Sequence, residues 1–250
     1  LVTAREASEL EEAVAELQDK GIDARWIAAD SSDPAQVRHV VDETVQRLVA
    51  EKKVPPMIVV GVVHAGMQRA HEYLPYKDFV GNPDMDEPAG KQFPDFMARE
   101  VLPLVDGQYR TLQGPANTGI GGSSYGGVAS LYAMLAKPNV FGFGLVESPV
   151  LWIGLGQLVR DTSPLVVMPR RVFIGLGGQE SSDAAVNRKM LGLVRQVEAN
   201  FHAAGYDASN LRVVVDADAQ HTEAAWEQRL PSALAFLYGI QVTPRGDPPR

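Results

Sequence analysis

The chain has 250 residues, 23 Lys and Arg against 31 Asp and Glu, a net charge of −8, and no cysteine. Its apolar fraction of 45% with 22% charged residues is globular, which excludes a disordered chain, a collagen or a coiled coil. The missing Cys excludes disulfide scaffolds, thiolate zinc sites, Fe–S clusters and thiol nucleophiles, and the acidic balance argues against non-specific nucleic-acid binding.

The opening reads as β-α-β-α. Leu1–Ala4 is a short strand, and Ser8 with Glu11 forms a capping box ahead of Leu10, Ala13, Val14 and Leu17 at helical spacing, stopped at Gly21. Ala24–Ala29 is a buried strand. Asp33-Pro34 then starts a helix with Val37, Val41, Val45 and Leu48 on one stripe. Residues 1–53 hold 12 acids and 7 bases, a net of −5, against 19 and 16, a net of −3, in the rest. MIVVGVV at Met57–Val63 predicts a central parallel strand. A long irregular stretch follows from His64 to Gln92. Phe93, Phe96, Met97, Glu100 and Val101 then mark a helix that Pro103 should end.

Further strands are expected at Asn117–Gly122, Phe141–Glu147, Arg171–Leu176 and Leu211–Asp216. Helices are expected at Gly126–Leu135, Ser182–Ala203 and Thr222–Tyr238. Alternation of strands and helices makes the class α/β, a three-layer sandwich around a mostly parallel sheet. The tail 241–250, with three prolines, should fray. No apolar run reaches the roughly 18 residues of a membrane span. The chain is read as soluble, with the cytoplasm favoured and no membrane partner. It begins at Leu1 rather than Met, as after removal of a leader or without one.

The segment Gly122-Ser123-Ser124-Tyr125-Gly126-Gly127 fits G-x-S-x-G, with a strand leading in and a helix leading out. That is the context of a nucleophile elbow, where a sharp turn exposes the serine and larger neighbours two residues away would collide. The competing reading is a glycine-rich turn with an incidental serine. A serine nucleophile needs a base, and the chain has five histidines: His39, His64, His71, His202 and His221. In the order nucleophile, acid, base, His64 and His71 come too early. His39 and His202 belong to helices. His221 follows the last strand, in the loop from Asp216, which leaves it as the candidate. The acid should follow the penultimate strand, in the loop Gly177–Asp183. Glu180 is the first choice there and Asp183 the second, since Asp183 is also a natural helix N-cap. Asp216 and Asp218 lie nearer His221 but on its own loop.

Around these residues the chain resembles the putative-esterase family of α/β-hydrolases, which includes esterase D-like, feruloyl-esterase-like, siderophore-esterase-like and mycolyltransferase-like enzymes. The resemblance spans residues 49–240. It rests on Val54-Pro55-Pro56 before MIVVGVV, Arg69 with Glu72-Tyr73 and Pro75, Phe96 through Tyr109-Arg110-Thr111, GGSSYGG, Phe141, Ser148-Pro149 with Trp152, the Glu180 loop, and His221 with Trp226. The resemblance implies a serine carboxylesterase acting on a small-molecule ester through an acyl-serine. In it Ser124 attacks, His221 moves the proton, Glu180 supports His221, and the Tyr125 N–H donates to the oxyanion. Trp152 could line the acyl pocket or simply pack in the core. A weakly active or non-catalytic remnant and an acyltransferase using the same triad are the alternatives.

Residues 1–48 resemble instead an internal fragment of a short-chain, gluconate-dehydrogenase-like Rossmann domain, so the chain reads as a chimera with a boundary near Leu48–Lys53. In that likeness Arg5 would meet a cofactor ribose or phosphate and Asp30 an adenine. The strand and glycine-rich turn that cradle a pyrophosphate would precede Leu1, and Pro75 interrupts Tyr73-x-x-x-Lys77. No NAD(P), other cofactor or metal is therefore expected. The slot that supplies the oxyanion's second donor in an intact hydrolase is filled here by Ala24–Ala29 and the loop Asp30-Ser31-Ser32.

Overall fold

The computed structural model describes residues 2–3, 26–29, 34–64, 66–83, 86–163 and 170–239, with side chains from residue 41 onward. The strands are β1 (Val2–Thr3), β2 (Trp26–Ala29), β3 (Ile58–Gly61), β4 (Gly119–Ser123), β5 (Phe143–Glu147), β6 (Arg171–Gln179) and β7 (Leu211–Gln220). The helices are α1 (Pro34–Ala50), α2 (Arg69–Tyr73), α3 (Phe93–Phe96), α4 (Leu102–Gln108), α5 (Tyr125–Ala136), α6 (Gln157–Asp161), α7 (Ala184–Ala203) and α8 (Glu223–Tyr238). The expected first helix, the Asp30–Ser32 loop and the tail lie outside the described residues.

All strand pairs are parallel. One piece has the order β1-β3-β2 and the other β4-β5-β6-β7, and they meet where β2 runs close to β4. Because β3 has a neighbour on both sides, its uninterrupted apolar run is accounted for. Successive strand residues point to opposite faces, so alternate side chains enter different cores. Val172, Ile174 and Leu176 join the core under α5 and α7, which includes Leu131, Met134, Val194 and Phe201. Phe173 joins the opposite core, with Val41, Val45, Leu48, Leu234 and Leu237 of α1 and α8. Each such buried side chain contributes about 1.5–3 kcal/mol. The result is the expected three-layer α/β sandwich.

Pro103 does not end its helix. The chain widens into a π-turn over Met97–Val101 and resumes as α4, in whose first turn Pro103 sits. Phe96, Val101 and Leu102 all keep helical dihedrals, so the helical run is continuous and the wider turn accommodates a residue with no N–H to donate. Phe96 on the preceding turn is exposed, while Met97 is buried. Among the described residues no helix is long and apolar enough to cross a membrane.

Candidate active site

Four residues stand first beyond the carboxyl ends of four adjacent parallel strands: Ser124 after β4, Ser148 after β5, Glu180 after β6 and His221 after β7. Ligand sites of open parallel sheets lie at that edge. Ser124 is the N-cap of α5, with φ 57° and ψ −118°. An L residue enters that region only at a cost, of order 1–3 kcal/mol, that its surroundings must cover. Here the Ser124 N–H donates to the Glu147 carbonyl at 2.9 Å, and the Ser124 carbonyl accepts from the Val128 N–H at 3.2 Å. A Cβ on Gly122 would lie 2.8 Å from the backbone of Gly126, and one on Gly127 would lie 2.8 Å from the Glu147 carbonyl. Gly122 and Gly127 are therefore steric requirements of the turn. As the first helical residue, Tyr125 has an N–H without an intrahelical acceptor.

β6 and β7 both run further than expected, to Gln179 and Gln220, so Gly177-Gly178-Gln179 and Ala217–Gln220 are strand and not loop. Glycines that read as a turn signal mark close backbone approach instead. A Cβ on Gly177 would lie 2.3 Å from the Ala219 carbonyl, and one on Gly178 would lie 2.3 Å from the Ala217 carbonyl. The register also shifts here. Gly177 pairs with Asp216, but Gln179 pairs with Gln220, so β7 gains two residues on β6. Such irregularities re-aim side chains next to active sites, and this one brings Glu180 and His221 out of the sheet side by side. Gly178→Ala should therefore destabilise the fold by about 1–3 kcal/mol. Thermal denaturation should show a melting temperature lower by several degrees, with turnover reduced as β7 is pushed away.

The Nδ1 of His221 is 2.5 Å from Oε2 of Glu180. The other oxygen of Glu180 accepts from the Ser148 hydroxyl at 2.6 Å and from the Gly177 N–H. The Glu180 side chain is fully buried and the His221 side chain is 30% exposed. Burial alone would raise the Glu180 carboxyl, but the bonds from His221, Ser148 and Gly177 outweigh it and hold the group below its ordinary value. Asp183 takes the other role foreseen for it, its carboxylate capping α7 through the Ala185 N–H at 2.7 Å. Among the described residues no hydrogen bond joins Ser124 to His221. Such contacts often tighten only with substrate bound.

Two supporting residues entered the family resemblance but were given no role from the sequence. Ser148 is fully buried and has φ 42°. Its N–H donates to the Gly175 carbonyl at 2.8 Å, and its hydroxyl accepts from Trp226 Nε1 at 2.9 Å while donating to Glu180. Trp226 also packs its ring edge-on to His221, with centroids 5.2 Å apart. The only advance signal was the Ser148-Pro149 step and a tryptophan shortly after His221. Trp152 is half-buried against the main core, with Lys189 Nζ 5.6 Å over its ring. The Tyr125 ring lies under the Arg69 guanidinium at 5.3 Å.

Residues 35–237 match the model of the family described as Putative esterase. The chain belongs to that esterase family. It is accordingly a hydrolase of carboxylic ester bonds. The match begins inside α1, upstream of the boundary expected near Leu48–Lys53. The esterase is 23% identical over 208 residues to the uncharacterized protein YbbA of Bacillus subtilis, covering 79% of each chain. An IroE-like serine hydrolase from Shewanella oneidensis superposes with a TM-score of 0.73 at 18% identity, over 88% of this chain and 72% of the other. The siderophore hydrolase EstA of Aspergillus nidulans gives 0.64 at 18% identity, over 86% and 81%. At these identities the two structures speak for the shared α/β-hydrolase fold.

Proposed function

We propose that the esterase cleaves a small-molecule carboxylic ester through an acyl-serine intermediate, with Ser124 as nucleophile, His221 as base and Glu180 as the acid that orients it. The observation that carries this reading is the Glu180–His221 contact, set by the register of β6 on β7, beside a strained serine at a helix N-terminus. In this reading the Ser124 hydroxyl gives its proton to His221 as Oγ bonds to the carbonyl carbon. The Tyr125 N–H takes the oxyanion. The protonated imidazole then returns the proton to the leaving alkoxide, and water repeats the sequence on the acyl-enzyme. In the same reading Trp152 lines the acyl side.

A fluorophosphonate probe with mass mapping tests the assignment. Label on Ser124 is the expected result, and label elsewhere overturns it. Trp226→Phe keeps the ring beside His221 and removes one hydrogen bond to Ser148, worth about 0.5–1.5 kcal/mol. It should lower kcat for p-nitrophenyl acetate by about two- to tenfold. The same reading takes residues 1–48 as a dehydrogenase-like segment that serves the sheet and not a cofactor. Tight NADPH binding in a fluorescence titration would count against it.

A further inference from the structure

We propose that the esterase carries a second binding site, for the phosphate group of a small molecule, in a cleft between Arg171 and Arg212 at the edge of the sheet opposite the catalytic candidates. The inference stands apart from the triad reading.

The cleft has a volume of about 230 Å³ and is lined by Arg171, Ala208, Ser209, Arg212, Ala235 and Phe236. That is below the roughly 300–1,000 Å³ of pockets that enclose a drug-sized ligand, and it suits a charged head group. Arg171 opens β6 and Arg212 is the second residue of β7, so the cleft lies at the amino ends of these strands. The nine residues of β6, at about 3.3 Å each, put roughly 30 Å between Arg171 and Glu180.

Arg212 pairs with Phe173 in the register of β6 on β7, and Arg171 precedes Phe173 by two residues. Strand alternation therefore puts both guanidiniums on the face that α8 covers. There Arg171 Nη1 donates to the carbonyls of Phe236 and Leu237, at 3.1 Å each, which fixes this guanidinium against the last turn of α8. Its Nε and Nη2 have no partner among the described residues. The guanidinium carbon of Arg212 lies 4.4 Å from the centroid of the Phe236 ring. Packing of this kind steadies the planar fork and leaves its N–H groups to donate. Among the described residues Arg212 has neither a hydrogen bond nor an ion pair.

In a chain of net charge −8, two arginines meet here without a carboxylate between them. Asp207, on the turn that borders the cleft, accepts instead from the Ser209 N–H at 2.8 Å and the Ser209 hydroxyl at 2.6 Å. The charged group that bears on Arg171 is a further arginine, Arg170, whose repulsion adds to burial in pushing the Arg171 guanidinium down from its ordinary value. Like charges gathered in this way are unfavourable until an anion joins them. Two forks suit a phosphate better than a carboxylate. Near neutrality a phosphate group carries about −1.5 to −2 and three acceptor oxygens, and guanidinium forks bind such oxygens in parallel pairs.

The test follows the melting temperature as inorganic phosphate is added at constant ionic strength. A saturable rise is expected, of about 3–6 °C at ten times the Kd. No saturable rise, or an equal one with acetate or chloride, overturns the inference. Glycerol phosphate should act at least as strongly as inorganic phosphate; a response to inorganic phosphate alone overturns the assignment to a phosphorylated molecule. Arg212→Gln removes one fork and keeps the bonds of Arg171 to α8, so it should fold and bind phosphate about ten- to hundredfold more weakly. Unchanged affinity in that variant overturns the site. A second measurement needs no variant. The Nε–H NMR signals of Arg171 and Arg212 should move together along the phosphate titration, with the Kd of the melting curves. Signals that stay still while the melting temperature rises place the phosphate elsewhere and overturn the inference.

Discussion

Replacing Ser124 with alanine is expected to lower kcat for a carboxylic ester by on the order of 10⁴–10⁶ while leaving the protein folded. The size follows from what is removed and what stays. The oxygen that forms the acyl bond goes, so the covalent route closes. The Tyr125 N–H and the Glu180–His221 pair stay. They can still polarise a bound ester toward water, which leaves the residual rate above the uncatalysed one. The fold should not notice. Alanine carries the same backbone penalty at φ 57° as serine, and the bonds that hold the turn are made by the Ser124 N–H and carbonyl, which alanine keeps. Surface-type changes without lost partners usually fall within about 0.5 kcal/mol. Steady-state kinetics with circular dichroism checks both halves. A variant that retains more than about a tenth of turnover would move the nucleophile elsewhere, since acid, base and oxyanion donor cannot replace it.

The strained turn at Ser124 was legible in the sequence because its requirement is local. A strand, a serine and small residues two positions either side are all that the elbow needs, and they are contiguous. Glu180 and His221 were legible by chain order alone. Their meeting was not, because it depends on a register shift between β6 and β7 that no periodicity encodes. Gly177 and Gly178 were read as loop because glycine signals a turn and a close backbone approach with the same letter. Ser148 and Trp226 join only through space, 78 positions apart. Pro103 misled for a physical reason as well: a π-turn re-sets the hydrogen-bond pattern, so the helical run continues past a proline that would ordinarily break it.

Glu180→Gln is the variant that separates geometry from charge. The amide is nearly the same shape, but it has one oxygen where the carboxylate has two. Three groups meet the native carboxylate: the Ser148 hydroxyl and the Gly177 N–H on one oxygen, and His221 on the other. The amide oxygen will satisfy the first two, which turns the NH₂ toward the imidazole. Nδ1 must then accept, so the proton sits on Nε2, and the nitrogen needed to take the Ser124 proton is already filled. A wrong tautomer with intact geometry costs about 10³–10⁴ in kcat in this kind of triad. The pH dependence of stability gives a second, independent reading. Glu180 is held below its ordinary value in the folded protein, so the folded state binds that proton more weakly than the unfolded chain. Its contribution is fully present above the ordinary carboxylate range and is lost as pH falls through the lowered value. Wild type should therefore be the more stable of the two near neutrality, and the gap should close in acid below about pH 4. Denaturant titrations at a series of pH values measure that gap. A gap that does not change with pH would mean that the three donors gain nothing from the charge of Glu180, and that its part in the site is one of shape.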